Sequence, residues 1–182
     1  HVDTFCRDHL PPGDTWPEMI FELPEVRYAD RLNCATELLT AVIADRGPDR
    51  PCLLTPGGET WSYGDLERTA NRIATVLTRD LGIVPGNRVL LRGPNNPWLA
   101  ACWFAVLKAG GVVVTTMPLL RPTELTAVAE IARVDLALCD GRFVDDLRAA
   151  RLGGAPIVTY GGPGGDDLAA RVTDAAGEFT AI

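Results

Sequence analysis

Reactive side chains are scarce in this 182-residue sequence: it has one serine (Ser62), one lysine (Lys108) and two histidines (His1 and His9). No GxSxG elbow surrounds Ser62, and both histidines fall near the start without metal-ligand spacing. A hydrolytic triad or a zinc site therefore cannot be assembled, and no catalytic or metal residue is assigned. The five cysteines (Cys6, Cys34, Cys52, Cys102 and Cys139) are odd in number and contain no CxxC pair. They read as reduced thiols in a cytoplasmic protein. Clustered positive charge is also missing: 24 acidic against 17 basic side chains leave a net charge of -7, which argues against a nucleic-acid partner. The longest apolar run, Trp98 to Leu107, is half of the ~20 residues a membrane span needs, and no signal-peptide pattern opens the chain. The expectation is a soluble protein with no membrane partner.

What is present is globular. Hydrophobic residues make up 47% and charged residues 23%, enough to bury a core in one domain. Residues 1–48 read as an arm plus one helix packed on that domain. The arm holds Pro11, Pro12, Pro17 and Pro24; the helix is capped by Asn33, carries the apolar stripe Leu38, Leu39, Val42 and Ile43, and stops at Gly47-Pro48.

Residues 49–182 alternate between strand and helix. Cys52 to Thr55 and Glu59 to Ser62 predict a hairpin through Pro56-Gly57-Gly58. Ser62, with Asp65 three residues on, opens a helix whose buried stripe is Leu66, Ala70, Ile73, Leu77 and Leu81, ending at Gly82. The stretch 86–120 is the most informative: a strand (Arg88 to Leu91), a tight loop, a helix apolar on every face with Asn96 capping and Pro97 in the first turn, a Gly110-Gly111 stop, and a buried strand (Val112 to Thr116). Helix over 123–134, strand over 136–139, helix over 142–152, strand over 157–160 and a last helix over 167–176 complete the pattern. The fold class is α/β, with a doubly wound, mostly parallel sheet.

The candidates for chemistry mostly reduce to structure. Ser62 reads as a cap, and Lys108, in the last turn of its helix, as a complement to the helix dipole and its carbonyls. Gly161 to Gly165 imitates a phosphate loop, but Asp166 and Asp167 follow at once and no Walker lysine is present, so it reads as a linker. Asp145-Asp146 reads as a solvated helix face. In open parallel sheets ligands bind beyond the carboxyl ends of strands, which puts Arg92 to Asn96 and Met117 to Arg121 on the working rim. Arg121 could clamp a phosphate there, or simply be a surface arginine introducing the next helix.

Three segments carry a resemblance. Trp61-Ser62-Tyr63-Gly64-Asp65-Leu66, Pro85-Gly86-Asn87-Arg88-Val89 and Leu107-Lys108-Ala109-Gly110-Gly111-Val112-Val113-Val114 resemble, in order and spacing, signatures of the acyl-adenylate-forming enzymes. The arm and Arg88 to Asn96 resemble the aryl-CoA ligases of that family, those for 2-aminobenzoate and benzoate most. The resemblance implies the N-terminal subdomain of the large domain of an enzyme that uses ATP, magnesium and CoA to convert an aromatic carboxylate to acyl-AMP and then to a thioester. It also implies that the phosphate loop, the aryl pocket and the small C-terminal domain with its catalytic lysine lie outside these 182 residues, so the chain itself is expected to be inactive. An arginine in the loop after the last signature touches CoA phosphate in some relatives, which marks Arg121 as a cofactor contact. A carrier-protein thiol as acceptor, or a stand-alone binding or regulatory module, are the alternatives; assembly state is left open, with a homodimer among the options.

Overall fold

A computed structural model describes residues 1–162 and 167–182. Part of the glycine-rich loop read as a linker, residues 163–166, lies outside the described residues.

The chain begins with one helical turn, α1 (Phe5–Asp8), and two 3-10 turns, Gly13–Thr15 and Pro24–Val26. The arm is tied down at its start: the Asp3 N–H donates to the Pro85 carbonyl at 2.9 Å, and the Asp3 carboxylate receives Arg88 and Asn87. The guanidinium groups of Arg88 and Arg133 each lie 4.8 Å from the centroid of the Phe5 ring, a doubled cation–π contact. Residues 10–32 leave Trp16, Ile20, Phe21, Leu23 and Tyr28 exposed.

The first long helix carries a π-helical segment, Thr36–Thr40, and continues as α2 (Ala41–Arg46). Asn33 caps it, its Oδ1 accepting from the Ala35 N–H at 2.9 Å. The expected stripe is broken, however: Leu39 is fully buried but Leu38 is exposed, because the wider π turn does not hold a 3.6-residue period. The hairpin strands β1 (Pro51–Leu54) and β2 (Thr60–Ser62) pair antiparallel, a residue shorter or displaced from expectation. Helix α3 (Tyr63–Thr75) opens on a complete capping box. Ser62 Oγ accepts from the Asp65 N–H at 3.1 Å, and Asp65 Oδ2 accepts from the Ser62 N–H at 2.9 Å.

The body is a four-stranded parallel sheet, ordered β4 (Val112–Thr116), β3 (Arg88–Arg92), β5 (Leu136–Asp140), β6 (Ile157–Tyr160). Alternation in the strands divides the core. Val89, Leu91, Leu136 and Leu138 join α3 and α4 (Pro97–Lys108) on one face. Leu90, Ala137 and Cys139 join α5 (Pro122–Ala132) and α6 (Val144–Ala149) on the other. The doubly wound arrangement follows from handedness: β3 to β4 steps one way and β4 to β5 steps back across β3, so right-handed crossovers place α4 and α5 on opposite faces.

Several expected features change. The last three helices are shorter: α5 ends where Arg133 turns left-handed (φ +48°), α6 stops at Ala149, and α7 (Leu168–Arg171) is a single turn. Strand β4, expected as a buried strand, lies at the sheet edge, and its residues are half-buried or exposed. Helix α4 is likewise not buried all round. Ala101, Cys102, Ala105 and Val106 are buried, while Leu99, Trp103, Phe104 and Leu107 are half-buried, because the sheet ends at β4 and among the described residues no layer covers them. Local sequence pattern reports apolarity; strand order decides which apolar faces are covered.

Candidate functional site

The connections after β3 and β5 leave the sheet toward opposite faces, so the crevice beyond their carboxyl ends is the switch point of this fold. Here that crevice is filled. Asp140, almost fully buried, accepts from Asn96 Nδ2 at 3.1 Å and from Arg142 Nε and Nη2 at 2.9 and 2.8 Å. Burial works to raise its pKa, but the Arg142 hydrogen bonds and charge, with help from Asn96, prevail and hold the carboxyl below the ordinary range. Beneath it lies the buried Tyr160, stacked on Trp98 at 6.2 Å, whose hydroxyl burial pushes strongly upward. Gly93 is required at this point: a Cβ there would collide with the Tyr160 hydroxyl.

Arg92 is not a rim residue open to ligand. Its guanidinium is fully buried and donates to the carbonyls of Phe143 (3.0 Å), Met117 (2.9 Å), Pro118 (2.8 Å) and Leu120 (2.9 Å). It thereby ties the loops after β4 and β5 to the end of β3. Asp146 approaches it at 3.7 Å and also pairs with Arg121 at 3.3 Å, so Asp146 is a bridging carboxylate rather than part of a solvated face; Asp145 is fully exposed. Arg121 itself is 75% exposed and precedes α5, its backbone N–H donating to Glu124 Oε2.

Lys108 also departs from expectation. Instead of capping carbonyls, its buried ammonium pairs with Glu67 at 3.2 Å and donates to Thr40 at 3.1 Å, joining three helical segments. The thiols of Cys102 and Cys139 are buried and pushed upward by burial, Cys139 to about 12, which removes them as nucleophiles near neutral pH. His9 Nδ1 bonds the Phe5 carbonyl, and its ring lies tilted against the Phe5 ring. Among the described residues, no three His, Cys, Asp or Glu side chains are grouped to hold a metal ion, and no helix is long and apolar enough to cross a membrane.

An open concavity lies beside the crevice. A groove of about 520 Å³ runs between β1 and α4, lined by Leu53, Leu54, Leu99, Trp103 and Phe104, with Asn95 and Thr115 at its polar end. Among the described residues it has no charged lining. The rim therefore offers an apolar wall, a sealed switch point and two exposed arginines, Arg121 and the Arg142 that pairs with Asp140. That combination can frame a site but supplies no base or nucleophile.

A family model described as AMP-binding enzyme matches residues 41–174. This chain belongs to that family. A 4-coumarate–CoA ligase of Oryza sativa subsp. japonica is 30% identical over 141 residues, covering 77% of this chain and 25% of the relative. The salicyl-AMP ligase / salicyl-S-ArCP synthetase of Mycobacterium tuberculosis is 39% identical over 101 residues, covering 52% of this chain and 18% of the relative. Among solved structures, a benzoate–CoA ligase from Burkholderia xenovorans superposes with a TM-score of 0.72 at 22% identity, over 84% of this chain and 30% of that one. The fold is that of the N-terminal region of the large domain in adenylate-forming enzymes. The chain spans a quarter or less of the length of these curated relatives.

Within the AMP-binding family frame, the segments that carry the resemblance are scaffold. The Ser62 segment is a helix cap, the Gly86 segment a turn closed by the Gly86 N–H to Gly110 carbonyl bond at 2.8 Å, and the Lys108 segment a helix end feeding β4. Reading along the chain misses Asp140 and Arg92 as organisers. The available signal was an arginine ending an apolar strand and an aspartate ending another, both at carboxyl ends where loops must be held.

Proposed function

We propose that this chain forms the N-terminal wall of an ATP-dependent acid–thiol ligase acting on an aromatic carboxylate, with benzoate and 2-aminobenzoate as the first acids to try. The observation that carries the reading is the AMP-binding match over residues 41–174, supported by relatives whose names specify coumarate and salicyl substrates. In the reaction a carboxylate oxygen attacks the α-phosphorus of ATP and releases pyrophosphate. The CoA thiol, losing its proton, then attacks the acyl carbon and AMP leaves. Magnesium, implied by the resemblance, finds no cluster of three His, Cys, Asp or Glu ligands among the described residues. The part of this chain is to shape one wall: Ser62, Lys108, Cys102 and Cys139 are all committed to structure. Arg121, exposed at the rim, is the residue offered to a CoA phosphate.

ATP–pyrophosphate exchange by the complete product of the gene, with benzoate, 2-aminobenzoate, salicylate, 4-coumarate and a fatty acid in parallel, tests this. Exchange with an aromatic acid is expected, and none from the 182-residue chain alone. Exchange driven only by the fatty acid would refute the aromatic reading; turnover by the isolated chain would refute its role as a wall. Arg121→Ala should raise the KM for CoA and leave the exchange reaction unchanged. A second reading replaces CoA by a carrier-protein thiol, favoured by the 39% identity to the salicyl-S-ArCP synthetase. Acyl transfer to a phosphopantetheinylated carrier domain but not to CoA would decide for it. A complete gene product without any exchange activity would favour a stand-alone binding module.

A further inference from the structure

Where the arm meets the body, four consecutive residues of one turn are shaped around Asp3. The Pro85 carbonyl accepts from the Asp3 N–H at 2.9 Å, and Gly86 leaves room where a Cβ would collide with the Asp3 carbonyl oxygen. The Asn87 amide and the Arg88 guanidinium then donate to Asp3 Oδ2 at 3.0 and 2.5 Å. The other carboxylate oxygen accepts from the Phe5 N–H at 2.9 Å, closing a turn that brings the Phe5 ring to the Arg88 and Arg133 guanidinium groups. Thr4, between them, is not read by the body, since its hydroxyl turns back to Asp8. Beyond this plug the chain lets go: residues 3–6 are half-buried, residues 7–25 are exposed, and the hydrogen bonds of residues 10–32 run within the arm among the described residues.

We propose that residues 85–88 and Arg133 form a binding socket for an Asp-x-Phe peptide segment, and that the arm occupies it in cis as an exchangeable ligand. The chemistry selects that segment. Arg88, nearly buried, already pairs with Asp135 at 3.0 Å, so a carboxylate alone adds little that is specific. The Oδ1 bond to the N–H two residues on needs the short side chain of aspartate, and two cations at one ring need an aromatic face. The exposed strap after the plug supplies effective concentration but no buried contact, so the plug is held by its own bonds. Occupancy is also felt at the end of α5, because Arg88 donates to the Ala132 and Arg133 carbonyls at 3.0 and 2.8 Å.

Cutting the strap tests the proposal. A recognition site for a sequence-specific protease, inserted between the exposed Glu18 and Met19 of the 182-residue chain, puts the plug on a separate piece after cleavage of the folded protein. Size exclusion reads retention of that piece, circular dichroism follows the body, and synthetic peptides of residues 1–9 compete for the socket. The piece is expected to stay with the body until the parent peptide displaces it. Peptides carrying Asp3→Glu or Phe5→Leu should need about tenfold higher concentration. Prompt loss of the piece from a folded body would overturn the proposal, as would equal displacement by the parent and variant peptides. A piece that no peptide displaces, or a body that unfolds once the piece leaves, would make residues 3–6 a fixed part of the fold and overturn it too. Hydrogen exchange at residues 132–135 should quicken when the piece is removed by dilution; unchanged exchange would refute the link to α5.

Discussion

Replacing Arg92 by methionine should loosen the carboxyl end of the sheet more than any other single change at the rim. The guanidinium holds four loop carbonyls at 2.8–3.0 Å with no exposed surface of its own. A hydrogen bond to a charged group contributes about 1.5–3 kcal/mol, so four would total ~6–12 kcal/mol if simply added. Two effects reduce that. Methionine recovers several kcal/mol of the desolvation cost of a buried cation, and the freed carbonyls of the loop bearing exposed Met117 and Leu119 can turn to water. Asp146 loses one cation but keeps Arg121. The expected net loss is about 2–4 kcal/mol, a large share of the ~5–15 kcal/mol that stabilises an ordinary domain. Urea unfolding followed by tryptophan fluorescence measures it, and hydrogen exchange should speed up over residues 117–121 and 141–146. Arg92→Lys should fall between, since a point ammonium cannot span four carbonyls. A methionine variant within about 0.5 kcal/mol of the parent, with unchanged loop exchange, would refute the role assigned to Arg92.

Three further outcomes are expected. Lys108→Met strands Glu67, which is only 19% exposed, and should cost about 2–4 kcal/mol, while Lys108→Met with Glu67→Leu should recover most of it; additive losses in a denaturation cycle would count against a coupled pair. Gly93→Ala forces its Cβ against the Tyr160 hydroxyl and should lose about 1–3 kcal/mol, relieved in part by Tyr160→Phe, as thermal midpoints of the three variants will tell. Because Asp140 titrates below the ordinary carboxylate value in the folded state, its contribution is complete above about pH 4 and is lost as pH falls through the depressed value. Asp140→Asn should therefore flatten the acid limb of a stability–pH curve; an unchanged limb would show that other carboxylates dominate it.

Features set by neighbours in sequence were the readable ones. The Ser62–Asp65 box spans three residues, and the Asn96-Pro97 start of α4 rests on Asn96 Oδ1 accepting from the Leu99 N–H at 2.8 Å. Both follow from capping chemistry that needs no tertiary information. Lys108 was misread because its partners are 41 and 68 residues away and meet only when three helical segments pack. Strand β4 was misread because three valines look the same at the edge of a sheet as at its centre; strand order is not a local property. At the rim, Arg92 and Arg121 both read as loop arginines near a ligand edge. Burial separates them, one locked to four carbonyls and the other exposed beside Asp146.

The buried Lys108 also sets what the surface can be made of. It is one of 17 basic side chains, and the others are all arginine. The accessible arginine charge of this chain is therefore permanent across any pH at which it folds, and none of it can be neutralised by acylation of an ε-amine. Crosslinkers, acetyl donors and conjugating enzymes directed at lysine meet a single amine, enclosed between Glu67 and Thr40. To such chemistry this segment is nearly silent, and an amine-reactive dye that did label Lys108 would report opening of the junction where the three helical segments meet.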